Sequence, residues 1–153
     1  MEDVLSIFSS AAETLADVHE LSDDRTNRIR RLTLHSGALA TLNGLCALPC
    51  VNSLIELNLS SNKIHFMDPK QLACLGPTLK KLNLASNFLS GVDGLGSLEH
   101  LEELVLSYNR IESLVGFAAV QCNHVLRVID LRANDVQEVA ELYHLRGCKH
   151  LEQ

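Results

Sequence analysis

The stretch LEELVLSYNRIESL, residues 101–114, places leucine or isoleucine at 101, 104, 106, 111 and 114. This spacing is neither the two-residue alternation of an amphipathic strand nor the 3.6-residue period of an amphipathic helix. Asn109 lies inside the pattern, although asparagine is depleted in strand interiors. The stretch therefore predicts a short strand followed by a turn, with a structural task for the asparagine.

The same spacing occurs in five units along the chain, and the start of a sixth follows them. The units share the pattern LxxLxLxxNxL, which is the signature of leucine-rich repeats. The predicted fold is therefore an α/β solenoid. We expect a right-handed leucine-rich repeat with short parallel β-strands on the concave face and 3₁₀ or short α segments on the convex face. The units begin at Ile29, Leu54, Leu79, Leu101, Leu126 and Leu151.

Four units carry asparagine at the same position in the turn after the strand. We expect these side chains to hydrogen-bond the backbone of neighbouring loops, because a buried backbone group left unpaired costs roughly 1–3 kcal/mol. Gly37 takes this position in the first unit, so the ladder should begin with the second unit. The predicted structural ladder comprises Asn62, Asn87, Asn109 and Asn134.

Residues 1–28 lie outside the register of the repeats, which occupy 29–153. Ser10 and Glu13 fit a capping box, which predicts a helix after Ser10. The end of a solenoid needs a cap, so the segment is predicted to be an N-terminal helical cap, with a partner-binding helix as the alternative. At the other end we expect either a fragment of a longer protein or a last unit covered by a partner. The residues on one face of the predicted helix are Ala11, Ala12, Leu15 and Val18.

Composition excludes several classes of partner. The net charge of −6 argues against nucleic acid, whose phosphates select basic surfaces. No apolar run approaches the roughly 18 residues of a membrane span, and the N-terminus lacks the basic region of a secretory signal. An odd number of cysteines without a signal predicts reduced thiols in the cytoplasm rather than a disulfide framework or a metal site. The cysteines are Cys46, Cys50, Cys74, Cys122 and Cys148.

Motifs for catalysis are missing from the sequence. The glycine-rich stretch GVDGLGS, residues 91–97, falls in a return segment and not between a strand and a helix, so it does not predict a phosphate site. The seven histidines show no HExxH or paired spacing. Glu102 and Glu103 are adjacent on a strand and point to opposite faces. We therefore predict no enzyme activity, no cofactor and no small-molecule substrate.

The solvent-facing columns of the repeats predict where a protein partner binds. Arg31, Glu56, Lys81 and Glu103 occupy one column with alternating charge, which predicts a cross-strand ladder on a solvated face. The fourth and fifth units replace polar residues with apolar or aromatic ones, a composition typical of binding hot spots. Scattered exposed apolar residues are the alternative. The candidate partner-binding residues are Val105, Tyr108, Val128, Arg132, Phe88 and Arg110.

The pattern LxxLxLxxNxIxxLxxL with short units resembles the SDS22-like class of leucine-rich repeats. Within that class, LVLSYNRIESLVGF (104–117) and HVLRVIDLRANDVQEVAEL (124–142) are similar to the N-terminal domain of the leucine-rich repeat and coiled-coil centrosomal proteins, the variable-flagella family. LADVHELSDD (15–24) resembles the segment that precedes that family's first repeat.

The resemblance implies a protein-interaction module of a centriole, basal-body or ciliary scaffold in the cytoskeleton, with a coiled coil following the repeats. Partners would be centriolar or microtubule-associated proteins. The alternative is an SDS22-like regulatory repeat protein that binds a phosphatase or a dynein or tubulin partner. A spliceosomal repeat protein is disfavoured because the sequence lacks a basic or aromatic RNA platform.

Overall fold

In the part of the chain that the structure describes, six strands form one parallel sheet in chain order. The computed structural model describes residues 3–8, 10–21, 24–119 and 125–152, so Cys122 lies outside the described residues. The central strand residues Leu32, Leu57, Leu82, Leu104 and Ile129 pair in register from one unit to the next. This register confirms the predicted solenoid. The strands are β1 (Val4–Phe8), β2 (Arg31–His35), β3 (Glu56–Asn58), β4 (Lys81–Asn83), β5 (Glu103–Val105) and β6 (Val128–Asp130).

The signature leucines form one continuous core. Leu57, Leu82 and Leu104 are at most 2% exposed, whereas their strand neighbours are partly or fully exposed. Alternate strand residues point to opposite faces of a sheet, so burying the leucines leaves the intervening residues on the concave face. Burial of aliphatic side chains contributes roughly 25 cal/mol per Å² of apolar surface, which makes this row of leucines the main source of stability.

Short 3₁₀ segments return the chain along the convex face, as the repeat signature predicts. One unit contains a turn of α-helix, α1 (Pro69–Leu72), which begins where the Asp68 carboxylate accepts a hydrogen bond from Lys70 N at 2.9 Å. The 3₁₀ segments are Leu15–Asp17, His19–Leu21, Asp24–Arg28, Leu45–Ala47, Val51–Ser53, Ala73–Leu75, Leu95–Ser97, Val115–Ala119 and Val139–Gly147.

The α-helix predicted after Ser10 is wrong, because residues 10–14 are irregular and 3₁₀ segments follow them, while the preceding residues 4–8 form β1 and pair with β2. Leu5 and Ile7 pair with the signature leucines Leu32 and Leu34, and 3₁₀ segments follow where the helix was expected. The capping box involves Thr14 and Asp17, whose side chains are hydrogen-bonded at 2.7 Å, and not Ser10 and Glu13. The segment thus has the form of a degenerate repeat that precedes the first recognisable unit. Its apolar return residues Leu15, Val18 and Leu21 are buried.

Two glycines allow consecutive return segments to approach closely on the convex face. A Cβ on Gly116 would collide with the carbonyl oxygen of Val92, and one on Gly94 would lie 3.0 Å from Pro69 Cα. Gly94 also has a φ of +85°, a conformation that residues with a side chain rarely adopt. The return segment of the third unit, which spans the 22 residues from Leu79 to His100, therefore packs tightly against both neighbouring return segments.

Cys46 and Cys74 form a disulfide between adjacent return segments, with their Cα atoms 5.6 Å apart. The expectation of reduced thiols is wrong for this pair, because the repeat geometry brings together cysteines that are 28 residues apart in sequence. Cys50 and Cys148 are free and buried, and burial raises the pKa of both thiols. These two cysteines are reduced, as the sequence predicts.

Candidate protein-binding face

Charged residues on the first units of the concave face neutralise one another. Arg31 Nε lies 3.2 Å from Glu56 Oε2, and Lys81 Nζ lies 2.9 Å from Glu103 Oε2. The hydrogen bond from Lys81 to Glu103 raises the pKa of the lysine. These pairs are the cross-strand ladder that the alternating column predicts. Pairs at this exposure contribute about 0–1 kcal/mol each, so their main effect is to leave the face without a strong net field.

The residue before each ladder asparagine, and before Gly37 in the first unit, adopts a left-handed backbone conformation. Its φ lies between 54° and 58° in all five units, which turns the chain out of the strand and directs the side chain away from the core. The residues at this position are Ser36, Ser61, Ser86, Tyr108 and Ala133. Tyr108 is the only large side chain among them and is 64% exposed.

The asparagine ladder holds these turns in place. Asn109 Oδ1 accepts a hydrogen bond from Leu89 N at 3.0 Å, and its Nδ2 donates to Leu84 O at 3.0 Å and Leu106 O at 2.9 Å. The side chain thereby connects its own turn with the preceding unit. Asn62, Asn87 and Asn134 make the corresponding bonds in their units. The backbone beneath Tyr108 is therefore fixed from both sides.

Arg132 lies beside Tyr108 and is held by Asp130. Its Nε and Nη2 donate to the two carboxylate oxygens of Asp130 at 2.9 and 2.8 Å, while Arg132 O accepts from Tyr108 N at 2.9 Å. The hydrogen bonds from Arg132, with a further one from Ser107, lower the pKa of Asp130 to about 2. The guanidinium is oriented by this bidentate pair, yet 81% of the arginine side chain remains exposed.

Phe88 and Arg110 form a second group at the rim of the face. The Arg110 guanidinium carbon lies 4.8 Å from the centre of the Phe88 ring, a distance typical of a cation–π contact. His65 packs on the same ring with a centroid distance of 5.5 Å. The aromatic residue is thus covered by a cation and an imidazole, and 36% of it remains exposed.

The two candidate valines contribute little exposed surface. Val105 and Val128 are both half-buried on β5 and β6. Sequence reasoning missed Asp130, which orients Arg132, and His65, which packs on Phe88. An aspartate two residues before an arginine, at the end of a predicted strand, could have indicated the first, whereas nothing in the repeat pattern indicates the second.

The described residues contain no group of three or more histidine, cysteine, aspartate or glutamate side chains that could hold a metal ion. In the same part of the chain, no helix combines the length and apolar character that crossing a bilayer requires.

Comparison with known proteins places the repeats in a family. A model described as "Leucine Rich Repeat" matches residues 53–75, and one described as "Leucine Rich repeats (2 copies)" matches residues 77–119. Both matches fall in the units whose turns and leucine core are described above. Leucine-rich repeat domains mediate protein–protein interactions through their extended concave surfaces.

Similar proteins share the repeats but are much longer. An uncharacterized leucine-rich repeat-containing protein of Schizosaccharomyces pombe is 38% identical over 105 residues, which are 67% of this chain and 16% of the yeast protein. Leucine-rich repeat-containing protein 56 of Rattus norvegicus is 33% identical over 97 residues, which are 61% of this chain and 17% of the rat protein. The chain thus matches about one sixth of the length of each relative.

A solved structure of a Leptospira interrogans leucine-rich repeat protein superposes with a TM-score of 0.69 at 25% identity. The superposition covers 84% of this chain and 31% of the bacterial protein. The parallel sheet, the inward leucines and these matches identify the chain as a leucine-rich repeat solenoid.

Proposed function

We propose that this chain is a non-catalytic protein-interaction module that binds a protein partner through the concave surface of its fourth and fifth units. The exposed centre of this surface, the Tyr108–Arg132 patch, consists of Tyr108 and Arg132, with Val105 and Val128 beside it. The observation that carries the proposal is the left-handed turn that presents Tyr108 next to an arginine already fixed by Asp130.

The patch meets the physical requirements of an anchor for a partner. Tyrosine and arginine are enriched among the residues that dominate binding energy. Because the backbone under Tyr108 is held by Asn109 and the guanidinium is held by Asp130, little conformational entropy is lost on binding. The preceding units offer mutually neutralised charges, which favour solubility and contribute little affinity.

A co-purification experiment with the tagged 153-residue chain tests the patch. We expect Tyr108→Ala combined with Arg132→Gln to weaken retention of the partner at least tenfold, since hot-spot truncations cost about 2 kcal/mol or more. Ser86→Ala is the matched control, because Ser86 occupies the same turn position one unit earlier. Melting temperatures of all variants establish that folding is intact, and undiminished retention by the double variant would remove the patch from consideration.

We further propose that the full-length protein containing this chain belongs to a centriolar or basal-body scaffold. The support is the resemblance of residues 104–117 and 124–142 to the centrosomal variable-flagella family. Imaging of the tagged full-length protein against a centriole marker tests this location. A diffuse cytosolic or nuclear signal, with a phosphatase catalytic subunit among the co-purified proteins, would support the regulatory alternative.

A further inference from the structure

We propose that β1 is a dimerisation strand, whose outer edge pairs antiparallel with β1 of a second copy of this chain. β1 pairs on one side with β2 and is the first strand in the order of the sheet. It spans five residues, whereas β3 to β6 span three each. β2, the interior strand that pairs with β1, also spans five residues, and all five residues of β1 pair with it, so the outer edge of β1 presents a five-residue template for pairing.

The backbone of β1 directs a defined set of groups outward. Asp3 O accepts hydrogen bonds from Arg30 N and Arg31 N, so the odd-numbered residues of the segment face β2. Because successive residues of a strand direct their backbone groups to opposite sides, Val4, Ser6 and Phe8 turn their N–H and C=O groups to the outer edge. These groups are the donors and acceptors that another strand would use.

The sequence VLSIF is self-complementary when two copies run antiparallel about Ser6. Val4 then lies opposite Phe8 of the second copy, Leu5 opposite Ile7, and Ser6 opposite Ser6. The pairing satisfies up to about six outward backbone groups on each strand and places apolar side chains across from each other on both faces. Val4 is 43% exposed and Phe8 is 65% exposed in the single chain, so the pairing would cover surface that is otherwise in contact with water.

The features that normally prevent edge pairing are missing from β1. Natural sheets protect an edge with lysine, proline, a bulge or an inward-pointing charge. Residues 4–8 contain no charged residue and no proline, although the corresponding concave position of β2, β3 and β4 is charged in every case, as Arg31, Glu56 and Lys81. A second copy of this chain is the partner that β1 fits, because in a two-fold dimer the same sequence supplies the complementary strand.

Dimerisation at β1 does not depend on the proposed function, because the Tyr108–Arg132 patch lies on the fourth and fifth units. Sedimentation equilibrium of the 153-residue chain over a range of concentrations is the first test, with a reversible monomer–dimer equilibrium expected. A chain that stays monomeric at every concentration overturns the proposal, even if a strand of another protein binds the same edge.

Proline at position 6 tests the role of the edge itself. Ser6→Pro removes an outward N–H but none that pairs with β2, and proline is tolerated at sheet edges whose N–H faces solvent. We expect the dimer dissociation constant to rise at least roughly tenfold, because one hydrogen bond is lost from each copy. Ser6→Ala is the matched control and should dimerise as the parent does. A dimer unaffected by Ser6→Pro would overturn the assignment to this edge.

Charged substitutions test the register. Val4→Glu with Phe8→Glu places like charges opposite each other and should abolish the dimer, whereas Val4→Lys with Phe8→Glu places opposite charges together and should restore it. Equal behaviour of the two double variants would contradict antiparallel pairing about Ser6. Circular dichroism and melting temperatures show that each variant retains the solenoid.

Discussion

Asn109 shows how one polar side chain stabilises two adjacent turns. Its carboxamide accepts from one unit and donates to carbonyl groups of its own and the preceding unit, while surrounded by buried leucines. An apolar residue would leave several backbone groups without partners, and each such group costs roughly 1–3 kcal/mol when buried. The polar residue is therefore required by the turn and tolerated by the core.

We expect Asn109→Ala to lower the free energy of unfolding by about 2–4 kcal/mol, because Leu89 N and two carbonyl groups lose their partner. Asn134→Ala is the matched variant, since Asn134 makes the same bonds but is only half-buried and water replaces part of what is lost. Urea denaturation measures both. Equal losses for the two would contradict a role for burial.

Ala133 offers a test of the left-handed turn. At a φ of 54° its Cβ is strained, and glycine relieves the strain. We expect Ala133→Gly to raise the free energy of unfolding by up to about 1 kcal/mol. Ala85→Gly, at a position without positive φ, should lower it by a similar amount. The melting temperatures of the two variants should move in opposite directions, and a decrease in both would contradict the strain at Ala133.

The two features of the turn differ in how far the sequence predicts them. The asparagines stand out because a polar residue recurs among leucines, so their ladder follows from the repeat. The left-handed residue does not stand out, because Ser36, Tyr108 and Ala133 have no shared preference for positive φ. The geometry of the strand and turn imposes this conformation, and local propensity does not indicate it.

At the scale of elements, the sequence of β1 and the residues after it fits a repeat as well as it fits the helix that Ser10 and Glu13 predict. Leu5 and Ile7 repeat the LxL spacing of the strands, and Leu15, Val18 and Leu21 repeat the three-residue spacing of Leu42, Leu45 and Leu48 in the next unit. Ala11, Ala12, Leu15 and Val18 also fit one face of a helix. The first signature leucine of the repeat has no counterpart in the sequence before Leu5. Pairing with β2 decides between the two patterns, and pairing is a property of the assembled sheet.

The Cys46–Cys74 disulfide joins two return segments and was not predictable from cysteine number. In a loop-closure model, a crosslink between residues 28 apart stabilises by about 3–4 kcal/mol. We expect Cys46→Ser to lose stability of this order under oxidising conditions and to match the parent in the presence of a thiol reductant. Thermal melts in both conditions measure the difference. A parent chain insensitive to reductant would contradict a stabilising bond.

Asp130 links β6 to the turn that follows it, through Arg132, and makes the free energy of unfolding depend on pH in acid. Its pKa is lowered to about 2 by Arg132, so its contribution is complete above the unfolded value near 4 and is lost as the pH falls toward 2. We expect Asp130→Asn to cost about 1 kcal/mol at pH 7, because solvent screens the exposed guanidinium. Urea midpoints at pH 7, 4 and 2.5 test this, and the difference between parent and variant should shrink at the lowest pH.

At the scale of the whole molecule, stability follows the stacking of units. Each unit contacts its neighbours, so local stability depends on how well a unit is covered on both sides. β4 and β5 each have a fully buried central leucine, whereas all three residues of β6 are half-buried. The return segment Val139–Gly147 contains no fully buried residue.

We expect amide hydrogens of β6 in the 153-residue chain to exchange faster than those of β4, because opening a poorly covered unit exposes less apolar surface. Hydrogen exchange followed by mass spectrometry measures the gradient. Uniform protection along the sheet would indicate that the solenoid opens as a single unit.

The sequence predicts the solenoid well because its leucines repeat, and it predicts the candidate face only in outline. The columns place Tyr108 and Arg132 on the same surface, but the bidentate pair with Asp130 depends on rotamers that no spacing specifies. The packing of His65 on Phe88 likewise brings together residues of different columns. Such contacts belong to particular side chains, and the repeat determines only the scaffold that carries them.

The close approach at Gly116 and Gly94 has a consequence for the shape of the arc. Because no side chain separates consecutive return segments at these glycines, the segments lie closer together than they could with a Cβ between them. The spacing of the strands on the opposite side is fixed by hydrogen bonds. A methyl group at Gly116 would push the return segments of the third and fourth units apart and increase the curvature of the solenoid. A partner that contacts several units at once would then bind a surface of different curvature, even though every residue that it contacts is unchanged.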